Sequence, residues 1–301
     1  MKCDLCPRKC LVDRKKGEKG ICGQTENLKV ARAALHFWEE PCISGDAGSG
    51  AVFFSGCPLH CVFCQNENIA NGTVGKEISL ERLVDIFLEL QEKRANNINL
   101  VTPGHFVPQI VKALDQARKE GLTLPVVYNT SSYETVDTIK MLEGYVDIYL
   151  PDFKYMSPVL SKKYSHAPDY AEVAKAAIAE MVRQTGKAVF VNGEEDNLIL
   201  SGTIVRHLTL PGCMADSMQI LKYLHETYGD MIYISIMNQY TPVFEQKEYT
   251  ELNRCVTRRE YEKVLDYAFE LGIENGFFQD GETARESFIP AFDYEGVRKM
   301  P

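Results

Sequence analysis

The chain has 301 residues, 45% of them hydrophobic, which is enough for a sizeable core in one large α/β domain or two smaller ones. Its formal net charge of -9 and pI near 5.3 give no support to a nucleic-acid or membrane-surface partner, because phosphate groups attract basic patches. No apolar run is long enough to span a bilayer, and the opening Met-Lys-Cys-Asp-Leu-Cys lacks the basic-then-apolar pattern of a signal peptide, so the expected location is the cytoplasm.

Residues 1 to about 25 are poor in apolar periodicity and rich in Cys, Lys, Arg and Gly. They read as a small metal-held appendage, and the expected division is a Cys-rich metal-binding segment 1–45 followed by a core 46–301. Pro41 to Gly50 reads as a loop, since its glycines argue against regular structure. Ala51–Phe54 is then a strand, Leu80–Lys93 an amphipathic helix, Ile98–Val101 a strand, and Val107–Glu120 a helix ended by Gly121. Val126–Tyr128 is a strand, Ser132–Leu142 a helix, Asp147–Leu150 a strand and Asp169–Gln184 a helix. Ala188–Leu200 reads as a hairpin turning near Asn192-Gly193. Strand Ile204–Leu208, helix Ser217–Tyr228, strand Ile232–Ile236, helix Arg258–Leu271 and a short strand at Phe277-Phe278 follow. Short apolar strands alternating with amphipathic helices imply a parallel α/β sheet, as an open doubly wound sheet or as a barrel. In either, the loops at the carboxyl ends of the strands hold the site.

Ten cysteines are many for a chain expected in the cytoplasm, where disulfides are rare and clustered thiols bind metal or do chemistry. Cys3, Cys6, Cys10 and Cys22 form one set, with spacings that suit a tetrahedral site. Zinc comes first, because so short a segment needs a staple. A rubredoxin-like iron or a second iron-sulfur cluster relaying electrons also fits, whereas oxidised cysteine pairs fit the compartment poorly. Cys42 is a surplus thiol, an extra ligand or a reactive group; Cys213 stands where it could face the cavity; Cys255 is an ordinary thiol.

The second set is Cys57, Cys61 and Cys64, directly after the first strand of the alternating region. Iron-sulfur cubanes normally take four thiolates, so three local ligands leave one iron open to bind a small molecule. A zinc site with His60 as the fourth ligand is the competing reading. The pattern C-x3-C-x2-C, with Phe63 just before the last cysteine, resembles the radical S-adenosylmethionine (SAM) superfamily. The segments Val52–Asn66, Asn99–Pro108, Asp147–Lys154, Val205–Gly212, Met237–Tyr240 and Glu286–Val297 are similar to the branch of pyruvate formate-lyase activating enzyme-related (PflX-like) proteins, and the likeness covers nearly the whole chain.

The resemblance implies a partial (β/α)6 barrel with the Cys-rich appendage at its N-terminus. It implies a [4Fe-4S] cluster on Cys57, Cys61 and Cys64, with SAM chelating the open iron and Phe63 and Gln65 beside it. At Thr102-Pro103-Gly104-His105 the family carries a Gly-Gly-Glu-Pro-like segment, so its acidic contact to the SAM amino group is absent here. Backbone carbonyls from Val101 to Gly104, or the Thr102 hydroxyl, stand in for it, while His105 is a helix-start residue or a ligand. Asn129 and Ser131 are partners for the amino-acid or ribose part of SAM, or helix caps. Asp152 would orient Lys154 toward the cofactor carboxylate, unless the two are a surface ion pair. Arg206 binds a carboxylate or a structural partner, and Asn238, Gln239 and Tyr240 border adenine or substrate.

The function so implied is reductive cleavage of SAM to a 5′-deoxyadenosyl radical that takes hydrogen from a substrate. Kinship to activating enzymes suggests a glycyl residue of a partner enzyme; a peptide or a small molecule is the alternative. An electron donor such as flavodoxin or ferredoxin is the implied partner. A non-enzymatic iron-sulfur electron carrier and a zinc-held interaction protein are the rivals from other classes; against the carrier, it has no use for an open iron.

Overall fold

The computed structural model describes residues 2–193, 197–243, 245–279 and 290–298. Strand β1 (Lys29–His36) leads through the helical turn α1 (Pro41–Ser44) to β2 (Ser49–Phe54), α2 (Glu67–Ala70) and β3 (Lys76–Glu77). Then come α3 (Leu80–Glu92), β4 (Ile98–Val101), α4 (Val107–Lys119), β5 (Val126–Thr130), α5 (Val136–Lys140) and β6 (Ile148–Pro151). The chain continues with α6 (Pro158–Ser165), α7 (Tyr170–Thr185), β7 (Val189–Phe190), β8 (Ile199–Leu208), α8 (Met214–Tyr228), β9 (Tyr233–Met237), α9 (Arg258–Leu271) and β10 (Gly276–Phe278).

A sheet of ten strands follows the order β10-β9-β8-β6-β5-β4-β2-β1-β3, with β7 paired to β8 off that path. From β10 to β2 every neighbouring pair is parallel, whereas β1 pairs antiparallel with β2 and β3. The fold is therefore α/β with a mostly parallel sheet, consistent with a partial barrel. β2, β4, β5, β6 and β9 are buried along their whole length, as expected when crossover helices cover the sheet. α3 and α4 lay Leu83, Phe87, Ile110 and Leu114 on one side of it. A second core gathers Phe153, Tyr155, Tyr170, Ile220 and Val264 with Leu59 and Phe63 of the three-cysteine loop. Burying those last two side chains is worth about 1.5–3 kcal/mol each, which fixes the loop to the scaffold. Among the described residues no helix is long and apolar enough to cross a membrane.

Pro41 to Gly50 is not the loop its glycines suggest. Pro41–Ser44 is helical, and Ser49 and Gly50 open β2. Gly50 serves close approach rather than turning: its N–H donates to the Asn97 carbonyl at 3.0 Å, and a Cβ there would lie 2.7 Å from that oxygen. The helix expected from Ser132 begins only at Val136, because Ser132 has φ 63° and Thr135 supplies the N-cap, accepting from the Thr138 N–H at 3.3 Å. β1, β3 and α6 carry no clear periodic signal, and β1 lies inside the segment divided off at residue 45 while bonded into the common sheet. The hairpin at Ala188–Leu200 forms, with Asn192 and Gly193 in the left-handed region; 194–196 lie outside the described residues, as do 286–289 of the last family-like segment. The rest of that segment, 290–297, runs along β1, where the Ala33 N–H donates to the Glu295 carbonyl at 2.8 Å.

Candidate cofactor site at the strand ends

A cavity of about 240 Å³ opens at the carboxyl ends of β2, β4, β5, β6, β8 and β9. Cys57, Cys61 and Cys64 line it together with Phe63, Gln65, Thr102, Asn129, Ser131, Asp152, Lys154, Arg206, Gln239 and Tyr240. These come from six strand ends far apart in sequence. Gly104 is absent from the lining: it lies beneath the buried carboxylate of Glu134, which occupies the space where a Cβ would stand. Thr102 reaches the cavity in the left-handed conformation, φ 55°, with its N–H on the Asn129 carbonyl at 2.9 Å.

The polar wall is one connected network. Lys154 Nζ donates to Asp152 Oδ2 at 2.6 Å, and Arg206 Nε donates to Asp152 Oδ1 at 3.0 Å. Arg206 Nη2 donates to Asn129 Oδ1 at 2.6 Å and Nη1 to Glu39 Oε2 at 3.0 Å. Glu39 Oε1 also accepts from the side-chain amides of Asn99 and Asn129, each at 3.1 Å. Burial opposes the charge on Asp152, yet Lys154 and Arg206 beside it hold its carboxyl below the usual range. Burial likewise opposes the charges on Lys154 and Arg206, and Asp152 outweighs it for both, so each pKa is raised. The Asp152–Lys154 pair is thus half-buried on the cavity wall and not a surface ion pair. Glu39 was invisible to motif reasoning, because it follows a strand outside the βα repeat. So were His36 and Trp38, which also line the cavity.

Phe63 is caged edge-on by Tyr155, Tyr164 and Tyr240, with ring centroids 6.0 to 6.4 Å away. Tyr240 offers the cavity its ring, since its hydroxyl donates to the Leu252 carbonyl at 2.7 Å. Asn238 is buried and Gln65 Nε2 donates to the Gln239 carbonyl at 3.3 Å. His105 is neutral: burial lowers its pKa to about 3, and its Nε2 meets the Ser55 carbonyl at 2.7 Å, holding the start of the three-cysteine loop.

The three thiols fit a cluster by their surroundings. The Leu59 N–H donates to Cys57 Sγ at 3.4 Å, the Ser165 hydroxyl donates to Cys61 Sγ at 3.1 Å, and the Asn66 N–H is directed at Cys64. Donors aimed at sulfur stabilise a thiolate. Burial pushes the Cys57 thiol up to about 11 and Cys64 up to about 12, so both stay protonated unless a bound cation offsets the burial. Among the described residues no three His, Cys, Asp or Glu side chains are gathered tightly enough to hold an ion by themselves. His60 does not turn to the thiols; its ring nitrogens meet the Ile21 carbonyl at 2.7 Å and Asn71 Oδ1 at 3.2 Å.

The N-terminal cysteines have similar local chemistry. The Ile21 N–H donates to Cys10 Sγ at 3.3 Å, and the N–H groups of Arg8 and Gln24 face Cys6 and Cys22. Burial, followed by the charge of Glu134 and then the thiols Cys22 and Cys10, raises Cys6 to about 12 against the Arg8 N–H, which lowers it. Cys42 packs in the core with Val127 and Ile148, outside the cavity lining. Cys213 caps α8 outside the cavity lining, and Cys255 is exposed.

The radical SAM superfamily model matches residues 51–199. The uncharacterized protein MJ0674 of Methanocaldococcus jannaschii is 28% identical over 281 residues, 90% of this chain and 75% of that protein. The fold resembles Streptococcus suis SuiB bound to S-adenosylmethionine, with TM-score 0.51, 15% identity and coverage of 76% of this chain and 50% of SuiB. SuiB bound to its precursor peptide SuiA matches with TM-score 0.50 and 14% identity over 75% of this chain and 47% of that one. The chain thus spans about half the length of the SuiB structures. Proteins of the matched family use a [4Fe-4S] cluster and SAM, and the likeness to SuiB is one of fold.

Proposed function

We propose that the chain is a radical SAM enzyme acting on a protein or peptide. The observation that carries this reading is the convergence of Cys57, Cys61, Cys64 and Phe63 with the strand-end polar network on one cavity. Cys57, Cys61 and Cys64 would hold the cluster. When bound, the cluster and SAM supply one-electron cleavage of the C5′–S bond, giving methionine and a 5′-deoxyadenosyl radical that leaves as 5′-deoxyadenosine after taking a hydrogen atom from the substrate. The electron comes from an external donor of the flavodoxin or ferredoxin kind.

The chain's own groups bind and orient. Lys154 and Arg206, both cationic and held by Asp152, line the cavity and would bind the cofactor carboxylate. Glu39, Asn129, Ser131 and the Thr102 hydroxyl are the acceptors available to its ammonium and ribose. Phe63 and Tyr240 offer apolar faces to adenine and keep water away from the reacting carbon. The likeness to activating enzymes favours a glycyl residue of a partner enzyme as substrate. The precursor peptide bound by SuiB supports a peptide more generally.

Cys3, Cys6, Cys10 and Cys22 are proposed to hold zinc or iron. Metal analysis of the full chain and of a Cys3→Ser/Cys6→Ser variant identifies that ion, with the loss of one metal expected.

Anaerobic reconstitution with iron and sulfide, reduction and addition of SAM should yield 5′-deoxyadenosine in wild type and none in Cys64→Ala. An intact cluster without that product would sink the proposal.

A further inference from the structure

Cys61 receives its hydrogen bond from a side chain that neither the spacing nor the family pattern singles out. Ser165 is the last residue of α6 and is fully buried; its hydroxyl donates to Cys61 Sγ at 3.1 Å. The Tyr155 hydroxyl, equally buried, lies 2.8 Å from Ser165 Oγ. Either hydroxyl of the Tyr155–Ser165 pair can be the donor; once Cys61 is a cluster-bound thiolate that only accepts, the single Ser165 proton is committed to sulfur and the hydrogen bonds run from Tyr155 to Ser165 to Cys61.

The geometry of this chain is held from outside. A single guanidinium, that of Arg8, donates to the carbonyls of Pro58 at 2.9 Å and Leu59 at 3.5 Å on the cysteine loop, and to those of Ser165 at 3.0 Å and His166 at 2.6 Å where α6 ends. The Val62 N–H donates to the Tyr164 carbonyl at 2.8 Å, a second tie between the same two segments. His166 is left-handed, φ 49°, which stops α6 with Ser165 turned toward the loop. Loop and helix end thus move as one body, and the distance from oxygen to sulfur is set by backbone contacts.

We propose that Tyr155 and Ser165 are positioning residues that set the reduction potential of the cluster through Cys61; the inference rests on the cluster reading above. One-electron reduction adds negative charge that the thiolate sulfurs share. A hydroxyl donor strengthens its bond to sulfur as that charge grows, so it stabilises the reduced state more than the oxidised one and raises the potential. Tyr155 polarises the Ser165 hydroxyl and increases the effect.

The test is a redox titration of the reconstituted full chain, followed by the electron paramagnetic resonance signal of the reduced cluster, with iron and sulfide content measured beside it. Ser165→Ala should keep the wild-type iron content while its midpoint moves to a more negative potential. Tyr155→Phe should move it the same way by less. A Ser165→Ala protein with a full cluster and an unchanged midpoint overturns the proposal. If Ser165→Ala does not assemble a cluster, Tyr155→Phe decides, and an unchanged midpoint there overturns it equally. A wild-type chain that takes up no cluster overturns the reading beneath, and the relay with it.

Discussion

At the scale of single residues, Glu39 alters the account of the cavity most. It stands just after β1, and its two carboxylate oxygens receive Arg206, Asn99 and Asn129. Arg206 and Glu39 leave only 13% and 9% of their side chains exposed, so water compensates poorly for a lost partner. Removing one member of such a set leaves the others unsatisfied, which costs more than the pair itself contributes. Glu39→Ala should therefore destabilise the protein by about 3 kcal/mol, measured by chemical denaturation. It should also weaken SAM binding, measured by calorimetry, because Arg206 and Asn129 lose the group that orients them. Wild-type stability together with wild-type SAM affinity in this variant would remove Glu39 from the site. The family's acidic contact after the second strand is missing at Thr102–His105, and the sequence offers no sign of where an acid is restored. Glu39 reaches the cavity only because β1 pairs with β2 in antiparallel register, His36 opposite Ser49, and that pairing is written in no motif.

At the scale of elements, β8 divides its work between two faces. Arg206 turns into the cavity, and His207, one residue on, turns the other way, as strand geometry demands. There its ring bridges the Phe153 carbonyl and the Ser217 hydroxyl of α8, each at 2.8 Å, binding β6, β8 and α8 into one block. Burial lowers the pKa of His207 from 6.5 to about 4. Below pH 6.5 the unfolded chain takes a proton that the folded chain refuses until about pH 4, so stability is full above 6.5 and declines between 6.5 and 4. The slope from this group is about 1.4 kcal/mol per pH unit. Asn at 207 keeps a donor for Phe153 and cannot titrate, so the denaturation free energy of His207→Asn should fall less steeply by that amount over the same pH range. Equal slopes in the two proteins would mean that His207 is not held neutral. The sequence made the alternation of strands and helices legible because each buried strand is a short apolar run and each helix carries a stripe. It left Arg206 and His207 undecided between roles, since a polar pair on a strand says nothing of which face meets a cavity until the neighbours are known.

At the scale of the whole molecule, the N-terminal segment is part of the site's construction and not a tag beside it. Arg8 grips the cysteine loop, the Ile21 carbonyl accepts from His60, and the Cys22 carbonyl sits so close over Gly56 that a Cβ there would stand 2.5 Å from its oxygen. Arg14 reaches the His105 carbonyl at 2.5 Å behind β4, and Thr138 donates to the Leu5 carbonyl at 2.7 Å. Yet the segment has little apolar content of its own, so the ion proposed for Cys3, Cys6, Cys10 and Cys22 must provide the order that lets these contacts form. The spacing of the four cysteines suggests a metal set, but where the segment docks was not legible, because docking depends on carbonyls and two arginines, groups that carry no periodic signal. Cys10→Ser should lower the metal content and release the segment. Limited proteolysis should then cut before about residue 25 while the sheet from β1 to β10 stays resistant. The cluster should lose iron to a chelator faster than in wild type, because Arg8 no longer braces Pro58 and Leu59. A Cys10→Ser protein with normal metal content and an unchanged digest would show that the segment is held without an ion. A changed digest with unchanged iron release would show that the cysteine loop stands without its brace.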